Sequence, residues 1–256
     1  MSLTPAQWME VTFNLAYLGV VYTLVGLMSV ALRTKADPKL LLRRFRDGFL
    51  LLALGDTGHV GFRVIALLRD GLEARVEVAG TSVGLVGVGA LATAVTITFL
   101  YLVLLDLWRR RFEAPRGTLY WGLVALGVVR LLLLVPAQNQ WSQVVPPWDW
   151  SVARNVPLTI LGLAVATLMI RDGRRAADKT FTQLGLLIVC SYAFYLPVIL
   201  FVQQVPAIGL LMVPKTLVYL VMAWLGYVRL FKARDSDAGG APASRGLDWR
   251  AAQPKA

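Results

Sequence analysis

The sequence predicts an all-α membrane protein: one bundle of seven transmembrane helices, N-terminus outside and C-terminus cytoplasmic. Three observations predict it. The 256 residues are 57% hydrophobic with a mean hydropathy of +0.63, and only 16% are charged, against roughly 25% in soluble domains. The apolar residues gather into seven runs, each near the ~20 residues needed to cross about 30 Å of hydrocarbon. Lys and Arg are concentrated in alternate connections between those runs.

The first run, 8–32, follows Met-Ser-Leu-Thr-Pro with no basic leader and is longer than the apolar stretch of a signal peptide, so it reads as a retained span. The others fall at 46–68, 82–107, 118–138, 153–171, 181–203 and 207–230. The connection 33–46 carries six basic residues, 108–117 and 171–179 carry four each, and the tail from 229 carries six. The opposite connections hold only Arg69 and Arg75, which puts the N-terminus outside. A net charge of +11 in a soluble protein points to nucleic acid. Here it reads as topology and contact with the lipid bilayer, with no nucleic-acid partner. Residues 1–234 make one transmembrane domain in the cell membrane, and 235–256, rich in Asp, Gly, Ala, Pro and Ser, are expected to be a disordered cytoplasmic tail.

Four basic residues fall within or at the edge of spans: Arg63, Arg130, Arg154 and Lys215. At 1.5 Å per residue, Lys215 lies about 12 Å from the outer end of the seventh run. Arg63 and Arg130 lie in the outer halves of the second and fourth, and Arg154 opens the fifth, placed to snorkel to the outer interface. Other polar groups reach the same depth: Glu10, Asn14 and Tyr17 in the first span, Thr93 and Thr96 in the third, and Asn155 beside Arg154. Tyr192 and Tyr195 lie in the sixth span and Tyr219 one turn after Lys215 in the seventh; Pro197 and Pro214 permit kinks nearby. The inner halves of spans four, five and seven are almost wholly apolar. In the outer loop 139–152, Trp141, Trp148 and Trp150 suit the membrane interface, with a lid over a cavity as the alternative.

The second span holds Asp56, His59 and Arg63 at i, i+3 and i+7, one face of a helix. Intramembrane ionisable groups must face protein, each other or water. These three could satisfy one another, bind a ligand or proton, or act as an acid–base pair with Asp56 orienting His59. His59 is the sole histidine and Cys190 the sole cysteine, which excludes bis-histidine haem within the chain and speaks against a zinc site, which wants three or four His, Cys or acid ligands. The sequence requires no cofactor and calls for no metal.

With Asp56 and Glu10 as the acids near Arg63, Arg130 and Lys215, the site carries surplus positive charge. A carboxylate, phosphate or lipid headgroup would compensate it. The expected function is therefore binding of a small anionic or amphiphilic ligand, as a receptor, sensor or transporter, rather than catalysis. Asp56, His59, Arg63, Arg130, Arg154, Asn155, Tyr192, Tyr195, Lys215 and Tyr219 are the candidate ligand-binding residues. One alternative is an intramembrane lipid-modifying enzyme using His59 and Asp56. Another follows from topology. A lysine midway along the seventh of seven spans resembles the microbial rhodopsins, and Tyr195-Leu196-Pro197 is similar to their aromatic–proline element in the sixth span. The resemblance implies a retinal Schiff base on Lys215; Asp56, in the second span, is a candidate counter-ion outside the match. Two positions depart from it: Leu211 stands one turn before the lysine where the family has an acid, and Asp106 lies at the cytoplasmic end of the third span.

Overall fold

A computed structural model describes residues 4–33, 40–69, 71–78 and 80–232. The tail at 235–256, and Lys35 and Lys39 of the first basic connection, lie outside the described residues. The order is α1 (Pro5–Arg33), α2 (Leu40–Asp56), a π-helical turn (Thr57–Gly61), α3 (Phe62–Leu68), β1 (Arg75–Val78), β2 (Thr81–Gly84), α4 (Leu85–Arg111) and α5 (Thr118–Leu133). A 3-10 turn (Ala137–Asn139), α6 (Trp148–Arg175), α7 (Lys179–Phe201), a second 3-10 stretch (Pro206–Leu211), α8 (Met212–Gly226) and a closing π-helical stretch (Tyr227–Lys232) follow.

Among the described residues, six helical stretches are long and apolar enough to cross a membrane: Gln7–Arg33, Leu40–Leu68, Leu85–Arg111, Trp148–Arg175, Lys179–Phe201 and Pro206–Lys232. Together they make a multi-pass helical bundle. The fourth apolar run yields a helix of only 16 residues, Thr118–Leu133, instead of the expected 118–138. It stops early because Leu134 to Asn139 fold into tight turns. The second helix starts at Leu40, six residues before the apolar run, since Arg43, Arg44 and Arg46 prolong a helix as readily as apolar residues do. The fifth starts at Trp148 and takes up the end of the expected loop.

The all-helical expectation needs one correction. The third span begins at Leu85, not at 82, because Thr81–Gly84 pair with Arg75–Val78 as an antiparallel hairpin with Val76 opposite Val83. Gly80 takes the left-handed backbone at the turn (φ 77°), where a side chain would strain the chain.

The helices close a ring in chain order. α1 packs on α2, the second helix and its π-turn on α4, α4 on α5, α5 on α6, α6 on α7 and α7 on α8, and the last stretch returns to α1. Because α4 also touches α6, α5 sits outside that pair. The end carrying the N-terminus of α1 is called upper here. The lower half is filled by Phe45, Phe49, Leu104, Leu105, Met169, Phe181, Met222 and Phe231, all buried. Phe45 stacks 4.9 Å from Phe49, centroid to centroid, and a Cβ on Gly226 would enter its ring. Ion pairs ring the lower end: Asp106 with Arg109 (3.2 Å) and Arg110 (2.6 Å), and Arg111 with Asp178 (2.6 Å). Trp108 is buried and donates to Asp172 at 2.9 Å.

Candidate functional site

The upper half is hollow. A cavity of about 210 Å3 lies inside the ring, room for several waters or a small molecule. Tight backbone packing forms the wall where α2 meets α4. A Cβ on Gly55 would strike Thr96, and one on Gly89 would meet the Gly58 carbonyl and the His59 Cα. The π-turn follows at that point, and π-turns often sit at functional sites.

Asp56 ends α2 and faces the cavity. Its carboxylate accepts a hydrogen bond from the Tyr17 hydroxyl of α1 and lies 3.5 Å from Thr93 Oγ1 of α4. His59 lies within the π-turn and also lines the cavity, with Nδ1 buried and unbonded. No hydrogen bond joins Asp56 to His59 among the described residues. Arg63 leaves that face. The wider turn rotates every residue after it relative to a regular α-helix, and the Arg63 guanidinium pairs with Glu10 of α1, away from the cavity lining. The shared face expected from the i, i+3, i+7 spacing thus holds for Asp56 and His59 only.

Arg130 of α5 is 2% exposed and reaches inward between α4 and α6. Its Nε donates to Thr98 Oγ1 (2.9 Å), and its Nη1 donates to Asn155 Oδ1 (2.9 Å) and to the Arg154 carbonyl. Asn155 Oδ1 also accepts from the Tyr195 hydroxyl at 3.0 Å. Four helices are tied by one guanidinium and one amide. Tyr195 also lies beside the Arg130 guanidinium.

Arg154 does not snorkel. It is 7% exposed, donates from Nη1 to Asn139 Oδ1 (3.0 Å), and places its guanidinium 4.3 Å from the Trp141 ring centroid. Asn139 is buried and donates to the carbonyls of Leu133 and Pro136, knitting the end of α5 to the turn beyond it. Trp141 donates from Nε1 to the Leu134 carbonyl (2.9 Å) and lines the cavity, so it serves as roof and not as interfacial belt. Gly87 makes this closure possible, since a Cβ there would overlap the Trp141 carbonyl.

Lys215 stands near the start of α8. Its Nζ is 4.2 Å from the Tyr195 ring centroid and 5.7 Å from that of Tyr219, within the range of cation–π attraction. It has no hydrogen-bond acceptor among the described residues. Asp56 attracts it and Arg130 repels it across the hollow. Below, Tyr101 and Tyr219 join hydroxyl to hydroxyl at 3.1 Å, and Tyr192 donates to the Leu158 carbonyl at 2.7 Å. This tyrosine floor separates the cavity from the apolar lower half.

No protein-family model, curated protein or solved structure matches the chain. The site is therefore read from its own geometry. Among the described residues, the cavity lining brings together Arg130, Arg154 and Lys215 with the single carboxylate of Asp56. None of the three cations forms an ion pair there. Of the ten residues expected from the sequence, all except Arg63 line this one cavity. Sequence reasoning did not assign Tyr17, Thr98, Tyr101 or Trp141 to the site. Thr98 and Tyr101 are three apart on one face of α4, a polar pair in an apolar run, which is the signal that could have found them. Among the described residues no group of three His, Cys, Asp or Glu stands together as a metal site.

Proposed function

We propose that this protein crosses the cell membrane seven times, N-terminus outside, and binds a small anionic or amphiphilic ligand in the cavity of its extracytoplasmic half. The observation that carries the reading is the meeting of three cations and one carboxylate in a hollow where no cation has an ionic partner. Burying unpaired charge costs several kcal/mol per ion, at least about 3 when a partner is missing, and an anion offsets that cost. The seventh crossing is α5. Its 16 residues reach only about 24 Å, but its place in the ring and its inward Arg130 fit a short span.

Arg130 and Lys215 hold the anionic group, Arg154 and Trp141 close the mouth, and Tyr192, Tyr195 and Tyr219 shape the walls. Asp56 sets the local charge, its carboxylate held by Tyr17. The apolar lower half offers no continuous polar path, which favours reception or sensing over transport. The test is calorimetric titration of the purified chain in lipid nanodiscs with acetate, benzoate, inorganic phosphate and a short-chain phosphatidic acid. At least one binds the wild type and loses about tenfold or more in affinity in Lys215→Met and Arg130→Gln. Failure of all four to bind refutes the reading.

A second reading is favoured by one observation, the unbonded Lys215 Nζ among tyrosine rings. There Lys215 would carry retinal as a Schiff base with Asp56 as counter-ion, and the cavity of about 210 Å3 would have to widen to admit a ring with a long polyene chain. A visible absorption band on adding retinal, lost in Lys215→Ala, establishes it; absence of the band removes it.

A further inference from the structure

The donors left free in the cavity narrow the ligand class, on the reading that the site takes an anion. Arg130 commits Nε and Nη1 to Thr98, Asn155 and the Arg154 carbonyl, with Tyr195 beside it. Arg154 is held by Asn139 and stacked on Trp141. Lys215 commits nothing. Lys215 therefore brings uncommitted, rotatable donors to a lining that also carries Arg130 and Arg154, and a carboxylate presents two oxygens to charged donors of this kind. Ile97, Leu158 and Met212 make part of the same lining apolar, which suits the body of an organic anion, whereas an inorganic anion has no apolar surface to place there.

Charge points the same way. Arg130, Arg154 and Lys215 against the one carboxylate of Asp56 leave the lining with surplus positive charge, which an anion offsets. The remaining volume is aromatic. Tyr192 and Tyr195 meet edge to face at 6.2 Å, and Tyr101 and Tyr192 are tilted at 5.8 Å. A ligand ring packs against such a cluster by offset or edge contact, with centroids about 4.5–7 Å apart. The cavity of about 210 Å3 limits the body to roughly a single ring with a short substituent.

We propose that the ligand is a small aromatic monocarboxylate, its carboxylate drawn to Lys215 Nζ on the side of the cavity that Arg130 lines, and its ring lying on the tyrosine floor. Three pairs of probes test this on wild-type protein in nanodiscs by calorimetry. Benzoate against benzamide isolates the charge, benzoate against acetate isolates the ring, and benzoate against inorganic phosphate isolates the anion's shape. The expected result is benzoate binding at least about tenfold tighter than each of the other three. Tyr195→Leu then weakens benzoate by a larger factor than acetate, and Lys215→Met weakens both. Phosphate or acetate binding as tightly as benzoate overturns the aromatic-carboxylate class while leaving an anion site in place. Binding of benzamide equal to benzoate overturns the carboxylate contact. If none of the four binds, the inference and the anion reading fall together. The wild-type comparisons need no variant, so misfolding of Tyr195→Leu or Lys215→Met leaves them decisive.

Discussion

The two halves of the bundle are built from the same helices and solve opposite problems. Below the tyrosine floor, Phe45, Phe49, Leu104, Met169 and Met222 fill the interior with apolar side chains, and charges stay at the rim in pairs such as Arg110–Asp106. Above it, cations enter the interior and find amides, hydroxyls, carbonyls and rings in place of acids. The lower half gains by packing, since lipid is as apolar as the core and close contact drives helix association there. The upper half gives up packing to keep a charged hollow. A protein needing stability alone would have filled both ends alike, and the hollow is where the proposed function is placed.

Substitutions can break or sharpen that contrast. The largest effect is expected from a charge placed in the filled half. Leu104→Asp leaves an unpaired carboxylate among apolar side chains, costs at least about 4 kcal/mol, and reads as loss of folded, monodisperse protein in detergent. Thr216→Asp, on the cavity wall, costs far less because water and Lys215 are at hand. Equal losses would erase the distinction between the halves.

Next is Arg130→Met, which strands the acceptors of Thr98, Asn155 and the Arg154 carbonyl. It destabilises by about 2–3 kcal/mol, seen as a lower Tm. Arg130→Lys does not restore it, because an ammonium cannot reproduce the planar fork that spans these acceptors. Full rescue by lysine would make Arg130 a simple point charge and undo its role as a tie.

Tyr17→Phe removes the donor to Asp56 and costs about 1–2 kcal/mol by thermal unfolding. The smallest effect is at the upper rim. Glu10→Gln breaks the pair with Arg63, whose side chains are 33% and 31% exposed, and changes stability by less than about 1 kcal/mol. Loss of anion binding in that variant would bring Arg63 back into the site.

Much of this contrast was legible in the sequence. Seven apolar runs gave the helices, and the similar depths of Arg130, Arg154 and Lys215 on separate runs pointed to one level of the bundle. What sequence could not carry was rotation. Regular helical spacing put Arg63 with Asp56 and His59, but the π-turn at Thr57–Gly61 turned it onto Glu10. A π-turn has no composition signal of its own and arises where neighbouring backbones press together, here Gly58 against Gly89. Trp141 was misplaced for another reason. An indole next to a membrane interface suits both a belt and a roof, and only the glycine at 87 and the Arg154 guanidinium decide between them. The hairpin at Arg75–Gly84 did carry a signal, alternating Val-Glu-Val and Ser-Val around a glycine, in a connection too short to be read as structure.

The contrast rests on a wet, positively charged hollow, and one rate ratio tests it. Cys190 is replaced by Ala and Thr216 by Cys, which puts a single thiol beside Lys215. The thiol is then treated with methanethiosulfonates carrying a sulfonate or a trimethylammonium group. Three cations against one carboxylate should make the negative reagent react faster, by about tenfold or more at low salt, with the advantage shrinking as salt is added. No reaction with either reagent, or faster reaction with the positive one, would contradict a water-filled anion site.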